Sequence, residues 1–405
     1  MTGFPTLIRR ALLVAMAMLV VLTQVPGPVA ADHAGRPIGS FSNCRRANVS
    51  PPRCSSVGND TRHHVAFDAT LTIGLAESLR DTMIEDYEPT KLEMILQDAV
   101  TPETDVIAFS QDYGNNGAAG WVNCPLDSPQ GFNRQRHRWC QGQELHFNLN
   151  PSMTVFFADD GSRDHVACHE LGHTLGLRHW GNPPESVGPV AATCMNSDTP
   201  DGPPNLHQVD HDHINAYQYS VHPPSLRQLP MDGVLPDRTT LRLSAWADTV
   251  VDAVELEHYT SLAEIAAGAD AVVRGRVVDV AHGRVFGDAS ASALHYAAVT
   301  IAVDEAVAGV LPPQHAAHVT LEVPLYGGHE TLEALAASLP TTESLFFLRN
   351  KGPADAEFYR LVVMRGVVVN RDGAAEVLPG DDDFLSALDG SSFGALVAEV
   401  GAAAP

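Results

Sequence analysis

The sequence predicts an α+β protein built as two domains. Strand-like and helix-like segments alternate from His63 to about residue 220. Strand patterns dominate from 251 onward, and a proline-containing stretch without periodicity lies between. The 405 residues are enough for two ordinary domains with cores of their own.

The N-terminus reads first. MTGFPTLIRR is short and basic, ALLVAMAMLVVL is purely apolar, and GPVAAD is small-residue. That order is a secretory signal, residues 1–31, cleaved after Ala31. The alternative is a membrane anchor, but the apolar run is short for a span. Residues 32–60 are rich in Gly, Pro, Ser and Asn and are expected to be irregular.

Residues 61–222 form the first domain. HHVAFDATL alternates as a strand does, and GLAESLRDTMIEDYE places Leu75, Leu79, Met83 and Tyr87 on one helical face. KLEMILQDA, TDVIAFSQ, GAAGWVNC and QELHFNLN read as strands. SRDHVACHELGHTLGL reads as a helix with Ser162 as its N-cap, and HQVDHDHINAYQYS as a last helix. Residues 223–250 read as a linker. In 251–405, VELEHYTSLAEIAAG is a short helix candidate, and five or so strand patterns predict a small β-barrel or sandwich.

The formal charge is −24, and loss of Arg9 and Arg10 with the signal makes it about −26. Acidic residues are spread over both halves, which argues against a nucleic-acid or anionic-lipid surface. The six cysteines all lie in the first half. In an exported chain an even number reads as disulfides, and six allow fifteen pairings. Sequential pairing is expected: Cys44–Cys54, Cys124–Cys140 and Cys168–Cys194. Cys124 and Cys140 flank the stretch between two neighbouring strands, where antiparallel pairing would bring them together.

Chemistry concentrates in CHELGHTLGLRHWG, residues 168–181. His169 and His173 lie one helical turn apart on the same face, so both imidazoles can reach one tetrahedral ion, for which Zn2+ is the default. Glu170 points about 100° away and can accept a proton from water beside that ion. Gly176 can take a left-handed conformation and end the helix, which brings His179 round as a third ligand. Three neutral imidazoles leave a position open, the layout of a catalytic zinc and not of a closed structural one. The plainer readings are a solvated amphipathic helix or a structural metal.

HELGHTLGLRH followed by TCMNS resembles the metzincin clan of zinc endopeptidases, closest to the matrixin-like branch and of a bacterial secreted type. The resemblance covers roughly 61–222. It implies a twisted, mainly parallel sheet with one antiparallel edge strand and three helices. It also implies a methionine turn under the zinc, a role Met195 fits, with extended substrate lying along the sheet edge. Two departures stand out. Ser197 occupies a position where some members carry an extra tyrosine ligand. PPRCSSVGND around Cys54 is only faintly similar to the cysteine switch of matrixin propeptides, and the segment before it is short. If His169 and Met195 both lie at the zinc, Cys168 and Cys194 can meet at disulfide spacing, roughly 5.5–6 Å between Cα atoms.

The expected activity is peptide-bond hydrolysis with Glu170 as general base. Substrate would pair with GAAGWVNC at 117–124, and residues 196–210 would wall the pocket for the side chain after the cut. The alternatives are an inactive secreted binding protein on the same scaffold, or a zinc hydrolase acting on a non-peptide substrate. The expected partner is a peptide or protein substrate, with no nucleic acid, no membrane after signal cleavage, and a monomeric chain. His207, Asp210, His211, Asp212 and His213 could hold a second metal, though an Asp capping the last helix among solvated histidines is simpler. Arg134, Arg136, His137 and Arg138 form a basic loop. DDD at 381–383 is compatible with structural Ca2+ but reads more simply as a solvated turn.

Overall fold

The computed structural model describes residues 58–125, 128–132, 138–177, 193–195, 202–215, 253–257, 259–287, 293–326, 332–378 and 383–403. The expected signal, Cys44, Cys54, the linker 223–250, and Arg134, Arg136 and His137 of the basic loop lie outside them. All described residues belong to one unit, Ile38–Pro405.

In chain order the first half gives β1 (Arg62–Phe67), α1 (Ile73–Thr82), β2 (Glu93–Gln97), β3 (Val106–Gln111) and β4 (Ala118–Asn123). It continues with β5 (Gln130–Phe132), β6 (Arg138–Cys140), β7 (Gln143–Asn148), α2 (Asp160–Thr174) and α3 (Gln208–His213). Strands β2, β1, β3 and β7 run parallel, and β4 is antiparallel to β7. Leu75, Leu79, Met83 and Tyr87 are buried as the helical period requires. The last two sit on a π-helical turn that extends α1. With Val166 and Leu171 of α2 they pack against Val65, Val106, Leu145 and Phe147 of the sheet.

The structure differs from the sequence pattern at α2 and at β4. Helix α2 begins earlier than SRDHVACHELGHTLGL indicates. Asp159 is the N-cap and accepts from the Ser162 N–H at 2.9 Å, so Ser162 is inside the helix and buried. The carboxylate wins over the hydroxyl because it meets the N-terminal end of the dipole with a full charge. Second, β4 is not the sheet edge. Strand β8 (Ala253–Glu255), from a stretch read as the start of a helix, pairs antiparallel with it: Ala118 opposite Glu255, Gly120 opposite Val254, Trp121 opposite Ala253. The helix of that stretch, α4 (Leu262–Gly268), starts later, behind Ser261 as N-cap.

The second half contains β9 (Ala271–Phe286), β10 (Leu294–Gly309), β11 (His318–Leu325), α5 (Leu332–Ser338), β12 (Ser344–Asn350) and β13 (Phe358–Leu361). After these come β14 (Val367–Arg371), β15 (Ala374–Val377), α6 (Asp383–Ala387) and α7 (Phe393–Ala403). Strand β9 pairs with β10, β10 with β11, β11 in parallel with β13, β13 with β12, and β12 with β9. That chain of pairings closes a five-stranded ring, a barrel rather than a sandwich. Val319, Leu321, Val323 and Leu325 alternate into its interior, as a half-buried strand must.

Strands β9 and β10 overrun the barrel and reach the first sheet. Phe109, His146 and Trp121, on neighbouring strands, stack as a ladder on the face opposite α2. Tyr113, Trp121, Leu294, Tyr296 and Tyr326 bury one another there, and the Tyr296 hydroxyl donates to the Tyr113 carbonyl at 2.8 Å. Under the Tyr296 ring, Lys351 and Glu322 form a buried ion pair at 2.7 Å.

Asp159→Ala is expected to lower the urea midpoint, because it leaves the Ser162 N–H in the first turn of α2 without its acceptor. Ser162→Ala is expected to cost less, and the reverse order would put the cap back at Ser162.

Candidate metal centre

The end of α2 is built by glycine. Gly176 has φ +83°, its N–H reaches the His173 carbonyl at 3.0 Å, and the Leu177 N–H reaches the Gly172 carbonyl at 3.0 Å. This left-handed closure satisfies carbonyls the helix would leave open. The turn also brings the Leu177 carbonyl back to His173 Nδ1 at 2.8 Å. On the sheet side, Gln143 of β7 donates to the Thr174 carbonyl, and His63 of β1 bonds the Thr174 hydroxyl at 3.0 Å.

The other support comes from the turn at 193–195. Cys168 and Cys194 are joined, with Cα atoms 5.9 Å apart, and the Cys194 carbonyl lies 2.7 Å from His169 Nδ1. Met195 is fully buried, and its sulfur fills the space where a side chain on Gly172 would go. The Tyr87 hydroxyl borders the same space and donates to the Cys168 carbonyl at 2.8 Å. Burial keeps that phenol protonated by pushing its pKa well up. Thr193 donates to Asp210 at 2.5 Å, and Asp210 accepts the His207 N–H at 3.0 Å. Asp210 thus ties the turn to α3.

These bonds fix the chemistry of the two histidines. A carbonyl can only accept, so each Nδ1 is an N–H donor, and a neutral imidazole then carries a lone pair on Nε2. The two Nε2 atoms face each other at 2.9 Å, both rings fully buried or nearly so. Two lone pairs at that distance repel unless a proton or a metal ion lies between them. Neutral imidazoles whose Nδ1 atoms are fixed by backbone carbonyls are oriented as metal-binding histidines are, and the donor set suits zinc.

Glu170 is fully buried beside this pair. Its Cγ and Oε1 come within 2.8 Å of where a Cβ on Gly120 would stand. Only glycine lets β4 pass so close to the carboxylate.

Among the described residues no group of three or more His, Cys, Asp or Glu is gathered as a metal site. His179, the expected third ligand, lies outside them, as does Ser197. His165, one turn before His169, is buried with its Nδ1 2.8 Å from the Pro203 carbonyl. Cys124 and Cys140 are joined, Cα atoms 6.1 Å apart, and Cys140 ends β6, the strand that Arg138 starts. His207 lies just before α3 and His211 and Asp212 lie on it, with no three such groups gathered as a metal site among the described residues, and Asp381 and Asp382 lie outside these. The sequence did not point to Tyr87, Gln143, His63 or Thr193, whose roles depend on partners far away along the chain.

No protein-family model matches this chain, and no curated protein matches it. Among solved structures it is similar to high choriolytic enzyme 1, a hatching enzyme zinc-protease from Oryzias latipes, the medaka fish. The identity is 12%, over 39% of this chain and 88% of that one, with a TM-score of 0.23.

Gly172→Ala is expected to cost roughly 1–3 kcal/mol in unfolding, since its methyl group displaces the Met195 sulfur. The cost should shrink when Met195 is also Ala. An equal penalty in both backgrounds would mean that the sulfur does not occupy this space.

Proposed function

We propose that this chain is a secreted zinc endopeptidase of metzincin-like design, with its catalytic domain at 61–222 and an ancillary barrel at 251–405. One observation carries the reading. Two buried imidazoles converge through lone-pair nitrogens, and the glutamate between them lies against an antiparallel strand. His169 and His173 would hold the ion, with His179 as the proposed third ligand and Met195 beneath. Zinc held there supplies Lewis acidity, lowering the pKa of water and stabilising charge on the attacked carbonyl oxygen. The two disulfides fit an oxidising compartment, and no described helix is long and apolar enough to cross a membrane.

The chain's own residues do the rest. With β8 displaced, backbone groups along β4 would orient a peptide by main-chain hydrogen bonds. Glu170, held over Gly120, takes the proton of the attacking water and returns it to the leaving amine. Burial of the site excludes bulk water from the carboxylate.

Two measurements test this. Casein hydrolysis should stop on chelation with 1,10-phenanthroline and return with added zinc. Glu170→Gln should keep its zinc and its fold while losing about 10²–10⁴-fold in turnover, the usual weight of a general base. Near-normal hydrolysis by zinc-loaded Glu170→Gln would contradict the assigned role.

A further inference from the structure

The antiparallel strand that would receive substrate already has a partner from the same chain. Strand β8 runs along the outer side of β4, with Val254 opposite Gly120, the residue that lies against Glu170. The Leu256 N–H donates to the Gly117 carbonyl at 2.6 Å, and β8 also lies against α2. These backbone positions are the ones an extended peptide would need, because a strand edge offers one row of donors and acceptors and no second. The strand has three residues, and its pairing carries a register shift between Ala118 and Gly120.

So short a strand is kept in place by the residues just after it. Leu256 packs against the core of the first sheet. Glu257 is bound by Arg349 of β12 at 2.7 Å and by Arg360 of β13 at 3.4 Å, and Arg360 also donates to Asn115, just before β4, at 3.1 Å. The barrel thus clamps the C-terminal end of the segment, and the aromatic contacts of Tyr296 and Trp121 fix the barrel against β4.

We infer that residues 253–257 are an intramolecular occupant of the peptide-binding edge, a self-inhibiting strand that the barrel holds over the candidate site. This rests on the endopeptidase reading for what is inhibited, though not for the occupancy itself. A tethered segment competes at an effective concentration on the order of millimolar, so a micromolar substrate meets a largely filled edge. The barrel then regulates access, and any partner that pulls Glu257 from Arg349 and Arg360 would open the site.

The test uses the full chain, zinc-loaded and carrying Glu170→Gln so that no peptide is consumed. The probe is a fluorescein-labelled peptide of the segment's own sequence, AVELEH, followed by anisotropy. Leu256→Pro removes the N–H that reaches Gly117. Glu257→Gln leaves Leu256 packing intact and weakens only the clamp, which keeps the test open if the proline variant misfolds. The variants should bind the probe at least about ten-fold more tightly than the chain with native β8, and the backbone amides of β4 should exchange faster in deuterium oxide. Equal affinity in folded Glu257→Gln and native chains, with β4 exchange unchanged, would overturn the inference. With Glu170 restored, a Leu256→Pro chain that binds the probe but never cleaves casein would sink the endopeptidase reading and leave the occupancy standing. Cleavage at equal rates and equal probe affinity in all chains would do the reverse.

Discussion

Helix α2 is held by two backbone approaches too close for any side chain. On one side the Met195 sulfur sits where Gly172 would carry a Cβ. On the other, Gly120 of β4 lies under the Glu170 carboxylate. Glycine inside a helix costs about 0.5–1 kcal/mol relative to alanine, so its place between the two histidines needs compensation. The Cys168–Cys194 bridge offsets that cost: it closes a separation of 26 residues, worth on the order of 3–4 kcal/mol in the chain-entropy model. The same bridge places the Cys194 carbonyl at His169 Nδ1. The Nδ1 contacts, the Met195 packing and the Glu170 position therefore descend from a single packing arrangement.

Much of that arrangement was legible in the chain because it is local. The four-residue spacing of His169 and His173, the left-handed turn at Gly176, and the buried face of α1 follow from helical period and glycine geometry alone. The start of α2 was displaced because Asp159 and Ser162 are both good caps, and sequence does not weigh a charge against a hydroxyl at the dipole. What stayed hidden is non-local. Three residues, AVE, carry no periodicity, so nothing in them announces a strand, and their pairing with β4 spans more than a hundred positions. The parallel pairing of β11 with β13, which turns a row of strands into a ring, is hidden for the same reason.

The two sheets are coupled where β4 meets the barrel. His146 and Trp121 belong to the first sheet, yet the ring packed on Trp121, Tyr326, directly follows β11 of the second. The Lys351–Glu322 pair lies just behind, with Arg284 completing the acid's partners at 2.6 Å. Burial lowers the pKa of Lys351 while Glu322 raises it. Removing Glu322 strands the buried Lys351 charge, at about 3–5 kcal/mol. The interface is thus both apolar and charge-matched, and β4 gains rigidity from the barrel on its aromatic face and from β8 along its edge.

If His169 and His173 present their Nε2 lone pairs to one metal ion, crystals of the full chain will reveal it by anomalous scattering at the zinc edge. One peak is expected, bonded to both Nε2 atoms at about 2.0–2.1 Å, the usual zinc–imidazole distance, with Nδ1 of each ring still on its carbonyl. A zinc-soaked crystal with no peak there, or with zinc on Nδ1 and the carbonyl bonds of Cys194 and Leu177 broken, would contradict it.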